Sequence, residues 1–402
     1  MSKKFTAGGS IFADETVLYE DYMPESLPER EVELDRIHEA LEPITRGAAP
    51  HNTFVYGKTG QGKTVAVEHK LRQLEEFAST QDDLNLTTIH YNCAQDTSTY
   101  QVAVNLVDDL TGDRPWGHDK RTVFQSLYEA LQDIGGTVII VLDEIDSIGT
   151  DDDILYELPR ARKNGHIEDM WVRVIGISND FDFRDNLSPK VKDTLCDEEI
   201  HFPPYDANQL TPILRRRAKK AFQTEGKNTL SDDVIPHCAA LAAQDRGSAR
   251  QAIRYLYKAG EIASSRDQDI VRREHVVEAE EILERKSIEK GIRDLTTQDH
   301  LALASVVQLE KDGETPARTR VVYAQYKDIA NNAGANQIAM RRVRDHLQEL
   351  EMVGVLQSHG RQTGVRGGPH YVWELDADLG VTLEVIKEID RIADAMGLAD
   401  FG

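Results

Sequence analysis

The sequence predicts an α/β chain in three parts: a five-stranded parallel sheet covered by helices, a helical segment, and a C-terminal winged helix. Up to residue 205, short apolar segments alternate with helical patterns, which is typical of a parallel sheet. Residues 207–285 carry only helical patterns, and beyond residue 290 helices lead into a hairpin with a glycine-rich tip. We therefore predict domains at 1–205, 206–290 and 291–402.

Length and composition limit the class of protein. A chain of 402 residues suits two or three domains at roughly 150 residues each. Its three cysteines are odd in number and form no Cys-x-x-Cys pair, so neither a disulfide framework nor a cysteine zinc site is expected. No run approaches the ~18 apolar residues of a membrane span, and the start lacks a signal-peptide pattern. We expect a cytoplasmic protein without membrane contact.

The charge balance is strongly acidic. Lys and Arg number 47 against 70 Asp and Glu, a formal net charge of −23. Taken alone, this excess argues against nucleic-acid binding, because attraction to phosphate needs a basic surface. The acidic residues are spread along the whole chain, and a high-salt cytoplasm is one explanation for them. Any segment that departs from the average is therefore informative.

Five apolar segments have the length expected of strands in the first part of the chain. They are residues 52–56, 86–91, 137–142, 171–177 and 199–202.

A glycine-rich segment follows the first of these strands. Residues 57–64 match G-x-x-x-x-G-K-[ST] without a mismatch, between an apolar strand and a helical pattern. Glycines let backbone N–H groups surround a phosphate, Lys63 supplies a charge to the β- and γ-phosphates, and Thr64 offers a hydroxyl to Mg²⁺. The alternative, a chance glycine loop, does not account for this context. The candidate nucleotide-binding residues are Gly57, Lys58, Thr59, Gly60, Gln61, Gly62, Lys63, Thr64 and Val65.

An acidic pair follows the most apolar strand. Residues 138–142 should form a central strand buried on both faces, and Asp143 and Glu144 come directly after it. This edge of an open α/β sheet is where ligands bind. We expect Asp143 to hold Mg²⁺ through water and Glu144 to orient or deprotonate the attacking water. The alternative is a solvated acidic pair.

Two more polar residues complete the predicted site. Asn179 follows the strand at 171–177 and would lie beside the γ-phosphate, although Asn-Asp after a strand is also an ordinary turn. Arg250 opens a helix at 247–250 and can reach the γ-phosphate only if the helical segment folds over the nucleotide. Such a contact would couple the nucleotide state to the angle between domains. The alternative is a surface arginine.

The C-terminal part contains a local reversal of charge. Residues 315–372 carry a net charge of +4, because eight basic residues face four acidic ones. On a predicted helix at 336–351, Met340, Val343, Leu347 and Leu350 share one face. The eight basic residues are Arg318, Arg320, Lys327, Arg341, Arg342, Arg344, Arg361 and Arg366.

This pattern predicts DNA binding. Arg341 and Arg342 flank the face opposite the apolar one, free to enter a major groove. Arg361 and Arg366 lie in the glycine-rich tip, between predicted strands at 355–357 and 371–375. Winged helices also serve as protein-contact modules, and the charge reversal is what favours DNA. The final helical stretch, 381–396, has the pattern of amphipathic packing.

These motifs, in this order, resemble the archaeal origin-recognition initiator family, AAA+ proteins related to the eukaryotic origin recognition complex. The resemblance covers nearly the whole chain, and it implies ATP and Mg²⁺ as ligands. Tyr205, at a hinge between base and lid, and Arg217, on the first lid helix, would then help to hold the nucleotide, with residues 22–31 near the adenine. Lys190 stands where the family usually has an arginine that acts on a neighbour's nucleotide, and Lys lacks the planar guanidinium. Further family-like stretches are residues 19–24, 27–31, 175–180 and 202–205.

The resemblance also assigns a role to an insertion at 151–165. In the family an insertion here touches DNA, and Arg160, Arg162 and Lys163 make its tip basic. A solvated helix end is the alternative. The expected function is an ATP-dependent replication initiator that binds double-stranded origin DNA and recruits an MCM-type replicative helicase, with further initiator copies as possible partners. A nucleotide-gated regulator of transcription or transposition, or a remodelling motor, are the rivals.

Overall fold

The computed structural model describes residues 11–195, 197–222, 229–359 and 371–398. The chain divides into two compact units, Met1–Val276 and Val277–Gly402. Among the described residues, no helix combines the length and the apolar character needed to cross a membrane.

The first unit is built on a five-stranded sheet in which every pairing is parallel, in the order β2-β3-β4-β1-β5. The fold prediction is confirmed, and the strand ends agree with the predicted ones to within one residue. The strands are β1 (Thr53–Tyr56), β2 (Leu86–Asn92), β3 (Thr137–Asp143), β4 (Trp171–Ser178) and β5 (Glu198–His201).

Helices cover both faces of this sheet. Successive side chains of a strand point to opposite faces, so Phe54 and Val55 enter different apolar cores. Val55 packs in one core with Ile37 and Leu71, whereas Phe54 packs in the other with Leu127. The helices of this part are α1 (Glu31–Leu41), α2 (Lys63–Ala78), α3 (Thr99–Thr111), α4 (Lys120–Ile134), α5 (Asp153–Arg160), α6 (Phe181–Asn186) and α7 (Pro189–Leu195).

A helical segment follows, which we call the lid. It consists of α8 (Ala207–Phe222), α9 (Val234–Asp245) and α10 (Ala249–Ser265). Its described residues contain no strand, only an isolated parallel bridge between Leu230 and Val271. The next helix, α11 (Arg273–Arg293), contains the boundary between the two units. The domain boundaries at 205 and 290 stay predictions.

The second unit is a winged helix, as the sequence predicts. Its sheet is antiparallel in the order β6-β8-β7, and the fully buried Trp373 of β8 lies in its core. The elements are α12 (Thr297–Lys311), β6 (Ala317–Arg318), α13 (Thr319–Asn332), α14 (Met340–Met352), β7 (Leu356–His359), β8 (Val372–Leu375), α15 (Leu379–Lys387) and α16 (Asp390–Ala395).

Three details of this unit differ from the sequence prediction. The two-residue strand β6 was not expected, and α14 begins at Met340 rather than near residue 336. The helical stretch predicted at 381–396 is divided into two helices, α15 and α16. Ile389, just before α16, has an extended ψ of 84° and interrupts the helix without a proline or glycine. An apolar period alone does not reveal such a break.

Candidate functional site

Three adjacent strands bring the predicted nucleotide-site residues together. In the sheet β1 lies next to β4, and β4 lies next to β3. The carboxyl ends of parallel strands meet at one edge, so residues 57–62, Asn179 and Asp143 all emerge there. We call residues 57–64 the P-loop. Its clustering with the polar ends of β3 and β4 is a consequence of strand order.

The P-loop leaves the start of a helix open toward the same edge. Gly62, the residue before α2, adopts φ 86°, a left-handed conformation that favours glycine. Glycine has no side chain, so Gly62 cannot cap the first N–H groups of the helix. The first N–H groups of α2 therefore remain available as hydrogen-bond donors. Together with the positive end of the helix dipole, they form a site that can bind an anion. Lys58 and Thr59 are exposed, Val65 is half-buried, and the Gln61 side chain is fully buried.

Lys63 lies at the centre of the loop. It is 5% exposed, and its Nζ donates to the carbonyl oxygens of Gly57 (2.6 Å) and Lys58 (3.0 Å) and to Asn179 Oδ1 (2.7 Å). Burial lowers the pKa of Lys63 to about 8, and the nearby Asp143 carboxylate opposes that shift. The ammonium group thus links the P-loop to the end of β4.

The acidic pair lies on the other side of this lysine. Thr64 Oγ1 donates to Asp143 Oδ2 at 2.7 Å, which brings the hydroxyl and the carboxylate expected to share Mg²⁺ side by side. Glu144 has φ 53°, an uncommon conformation for a residue with a side chain. Its carboxylate forms no hydrogen bond or ion pair with another described residue. Backbone strain of this kind often occurs at functional sites.

Sequence reasoning missed Asp146. Its Oδ1 accepts a hydrogen bond from the backbone N–H of Asn179 at 3.0 Å, so it holds the residue that contacts Lys63. The available signal was a third carboxylate two residues beyond Glu144. Nothing in the spacing showed that it would reach the end of β4.

The lid lies directly on the P-loop. The backbone N–H of Ala249, at the start of α10, donates to the Gly60 carbonyl at 3.0 Å. Arg250, the next residue, lines the same cavity as Gly60 and Gly62. From the sequence, Arg250 could reach a γ-phosphate only if the helical segment folded over the P-loop, and the lid does lie over the loop in this structure.

This cavity has a volume of about 480 Å³ and is also lined by Tyr205, Arg217 and residues between Val17 and Pro28. Arg217 donates to the carbonyl oxygen of Val17 at 2.6 Å, and its guanidinium carbon lies 4.3 Å from the centre of the Tyr22 ring. Its neighbours on α8, Arg216 and Lys220, bond Ser26 and Glu25. The basic face of α8 thus fastens the N-terminal segment over the cavity, which sequence reasoning did not predict.

In the second unit, α14 presents the predicted arginines to solvent. Val343, Leu347 and Leu350 are fully buried, while Arg341 and Arg342 are exposed and bond no other described residue. Met340, expected on the buried face, is 45% exposed because it is the first residue of the helix, where the apolar face is less covered. Arg361 and Arg366 lie outside the described residues.

The insertion at 151–165 is more enclosed than its predicted role suggests. Ile154, Leu155 and Leu158 of α5 are fully buried. Arg160 donates to the Tyr156 hydroxyl at 2.9 Å, and Arg162 stacks on Trp171 at 3.8 Å. Arg162 and Lys163 are both exposed to solvent. Lys190 pairs with Asp153 of this helix at 2.9 Å.

Family models match three consecutive parts of the chain. An AAA domain matches residues 48–180, a Cdc6 AAA+ ATPase-type lid domain matches residues 211–281, and a CDC6 C-terminal winged helix domain matches residues 290–385. The three models follow the order of the sheet, the lid and the winged helix.

Relatives match along nearly the full length. The chain is 42% identical over 414 residues to ORC1-type DNA replication protein 15 of Haloarcula marismortui, with 100% of each chain covered. It is 42% identical to ORC1-type DNA replication protein 10 of Halobacterium salinarum, covering 94% of this chain and 92% of the relative. The structure of the Aeropyrum pernix ORC1 protein in complex with DNA matches with a TM-score of 0.85 and 37% identity, covering 95% of this chain and 98% of that one. The chain belongs to the archaeal ORC1/Cdc6-type family of AAA+ DNA replication proteins.

Proposed function

We propose that this protein is an ATP-dependent DNA replication initiator that binds double-stranded origin DNA and recruits the replicative helicase. ATP acts as a conformational switch in this proposal, and its hydrolysis is slow. The observation that carries it is the lid seated on the P-loop through Ala249 and Gly60, in a chain that also ends in a winged helix with free arginines.

The nucleotide site has the donor set that a Mg²⁺–triphosphate requires. Lys63 and the first N–H groups of α2 would bind the phosphates, and Thr64 with Asp143 would hold the metal ion. The 2.7 Å contact between these two side chains supports the fit, because Mg²⁺ favours hydroxyl and carboxylate oxygens. The cavity beyond the P-loop has room for the nucleoside.

Hydrolysis needs a water activated beside the γ-phosphate. Glu144, whose carboxylate is free of protein partners among the described residues, would orient or deprotonate that water, and Asn179 would polarise it. Arg250, on the lid, would contact the γ-phosphate, so loss of that phosphate would loosen the lid. Lys190 is bonded within its own chain to Asp153 and lacks a guanidinium, which supports slow turnover.

Binding of DNA would rest mainly on α14. Arg341 and Arg342 lie in its first turn, the part of a recognition helix that contacts base edges. Asp345 and Glu349 follow on the exposed side, so only the first turn suits the phosphate-rich groove. Arg361, Arg366 and the insertion residues Arg160, Arg162 and Lys163 would add contacts to the backbone. The similar Aeropyrum pernix ORC1 protein is known in complex with DNA, which supports DNA binding by this chain.

The partners follow from the replication role of the relatives. A replicative helicase of the MCM type would be recruited to the bound origin, and further initiator copies would share it. The names of the relatives support replication, and these partners are our extension of that role.

One experiment tests the switch. Purified protein is titrated onto its genomic target duplex, found by mapping DNA occupancy in cells, without nucleotide, with Mg²⁺-ATP and with Mg²⁺-ADP at one fixed salt concentration. We expect the affinities of the ATP and ADP forms to differ by about fivefold or more, and equal affinities in all three states would refute the switch. Occupancy at promoters rather than at replication start sites would favour the regulator of transcription.

A further inference from the structure

A buried arginine lies between the P-loop and the lid, and none of the roles proposed above uses it. Arg30 precedes α1 and its side chain is 1% exposed. Its Nη1 donates to Glu33 Oε1 at 3.1 Å, so the charge is paired, as a buried charge must be. The Glu33 carboxylate explains why the guanidinium can be buried, but it accepts a hydrogen bond from Nη1 only.

The other donors of Arg30 reach two separate parts of the nucleotide site. Its Nε donates to the backbone carbonyl of Gln61 in the P-loop at 3.1 Å. Its Nη2 donates to the backbone carbonyl of Pro203 at 2.6 Å. Pro203 belongs to residues 202–206, which connect β5 to α8 and which we call the hinge. One rigid planar group thus joins loop and hinge.

Aromatic contacts fix the plane of this group. The guanidinium carbon lies 3.7 Å from the centre of the Tyr205 ring and 5.3 Å from that of Phe202, and both rings are in the hinge. A cation over an aromatic face is attracted to it and is held flat against it. A shift of the hinge would therefore move Arg30, and with it the donor to Gln61.

The hinge also continues into the lid. The backbone N–H of Tyr205 donates to the Gly247 carbonyl at 3.0 Å, and two residues later Ala249 donates to Gly60. The P-loop is thus connected to the start of α10 by two routes, one direct through Gly60 and one from Gln61 through Arg30 and Tyr205. The two routes close a ring of contacts.

Gln61 depends on this contact. Its side chain is fully buried, and within the described chain neither amide atom has a hydrogen-bond partner. The side chain therefore contributes no bond that would fix the loop here, and the Arg30 donor to its carbonyl remains. A movement of the loop at Gln61 would therefore act directly on Arg30.

We propose that Arg30 is a positioning residue that couples the P-loop to the hinge, so that filling the loop with nucleotide sets the position of the lid. The proposal rests on the nucleotide switch proposed above. Arg30 touches no nucleotide in this scheme, and it acts through the carbonyl groups of Gln61 and Pro203.

Two substitutions separate coupling from charge balance. Arg30→Met fills the slot and removes every donor, while Arg30→Lys keeps a charge opposite Glu33 but cannot reach both carbonyls or stack flat on Tyr205. Arg36→Met is the matched control, because Arg36 is an exposed arginine of α1 whose ion pair with Glu198, at 3.5 Å, touches neither loop nor hinge. Thermal unfolding identifies the variants that fold. If Arg30→Met does not fold, the result for Arg30→Lys tests the proposal.

The readout is the ATP-induced slowing of amide hydrogen exchange in α8 and α10, measured without DNA at saturating Mg²⁺-ATP. In wild type and Arg36→Met we expect clear slowing. In both Arg30 variants we expect ATP affinity within about tenfold of wild type and slowing reduced to a fifth or less. Full slowing in either folded Arg30 variant would overturn the coupling role. Failure of the switch itself appears elsewhere, as equal DNA affinity of the wild type in all nucleotide states.

Discussion

The nucleotide site and helix α14 differ in whether their named polar side chains already have hydrogen-bond partners. At the nucleotide site Lys63, Thr64 and Asn179 are bonded to other residues of the site, at 2.6 to 3.0 Å. On α14, Arg341 and Arg342 are exposed and free of described partners. Side chains that are already held in place need little further ordering when a charged ligand binds, whereas free arginines gain partners only when the DNA binds. Changes at the first region should alter chemistry, and changes at the second only affinity.

The largest effect should come from Glu144→Gln. The substitution keeps the size of the side chain and removes the carboxylate that would activate water, so turnover should fall by about 100-fold or more. Affinity for Mg²⁺-ATP should stay within about threefold, because Lys63 and Thr64 are untouched. Phosphate release and nucleotide titration measure the two quantities, with Glu168→Gln, an exposed glutamate, as the control. Unchanged turnover would remove Glu144 from its role.

The next effect concerns α14. Replacing Arg341 and Arg342 together by Ala should weaken binding to the target duplex by about 10- to 100-fold and relax the sequence preference, because contacts to base edges are lost. ATP affinity and thermal stability should not change, because both side chains are free. Anisotropy titrations at several salt concentrations measure the effect, and retained affinity and sequence preference would mean that recognition lies elsewhere.

The insertion provides the matched comparison for that experiment. Replacing Arg162 and Lys163 by Ala also removes two positive charges, but Arg162 is already stacked on Trp171. We expect less than about a fivefold loss of DNA affinity. A loss as large as that of the α14 variant would contradict the distinction between engaged and free arginines.

Much of this first region was predictable from sequence because its signals are local. The P-loop at 57–64 and the acidic pair after β3 are contiguous motifs, and the apolar runs beside them set the strands to within one residue. Strand order was less accessible, yet it is what brings Asn179 to Lys63, 116 residues away. Arg30 reaches Pro203 across 173 residues, and no periodic pattern encodes such a contact.

The winged helix was predictable in outline, but the points where its helices begin and end were less predictable. The buried face of α14 follows from the helical period, as Val343, Leu347 and Leu350 show. Where the helix begins depends on what covers its first turn, so Met340 was misjudged. The final helical stretch is interrupted at Ile389, and its apolar spacing does not reveal that interruption.

A smaller effect concerns what supports α14. Asp299 at the start of α12 is buried, which by itself would raise the pKa of its carboxyl, but hydrogen bonds from Thr296 and from His346 Nδ1 on α14 lower that pKa below its ordinary value. The ionised carboxylate therefore stabilises this unit above about pH 4, and the contribution is lost as pH falls through the lowered pKa.

Asp299→Asn tests this support. It should cost about 1–2 kcal/mol of unfolding free energy at neutral pH, and the difference from wild type should shrink toward pH 3. Urea unfolding followed by the indole N–H resonance of Trp373 reports this unit. Asp312→Asn, at the exposed other end of α12, is the control and should have little effect. A difference that stays constant with pH would show that the charge of Asp299 is not what stabilises α14.

The smallest effect returns to the nucleotide site and concerns the side chain of Gln61. Gln61 is fully buried with neither amide atom partnered among the described residues, and a buried polar group without a partner is destabilising. Gln61→Met has a similar shape and should raise stability by about 1 kcal/mol, or roughly 2 °C in Tm, without changing ATP affinity. Gln73→Met, an exposed glutamine of α2, should give no such gain. A loss of stability would mean that the Gln61 amide has a hydrogen-bond partner in solution.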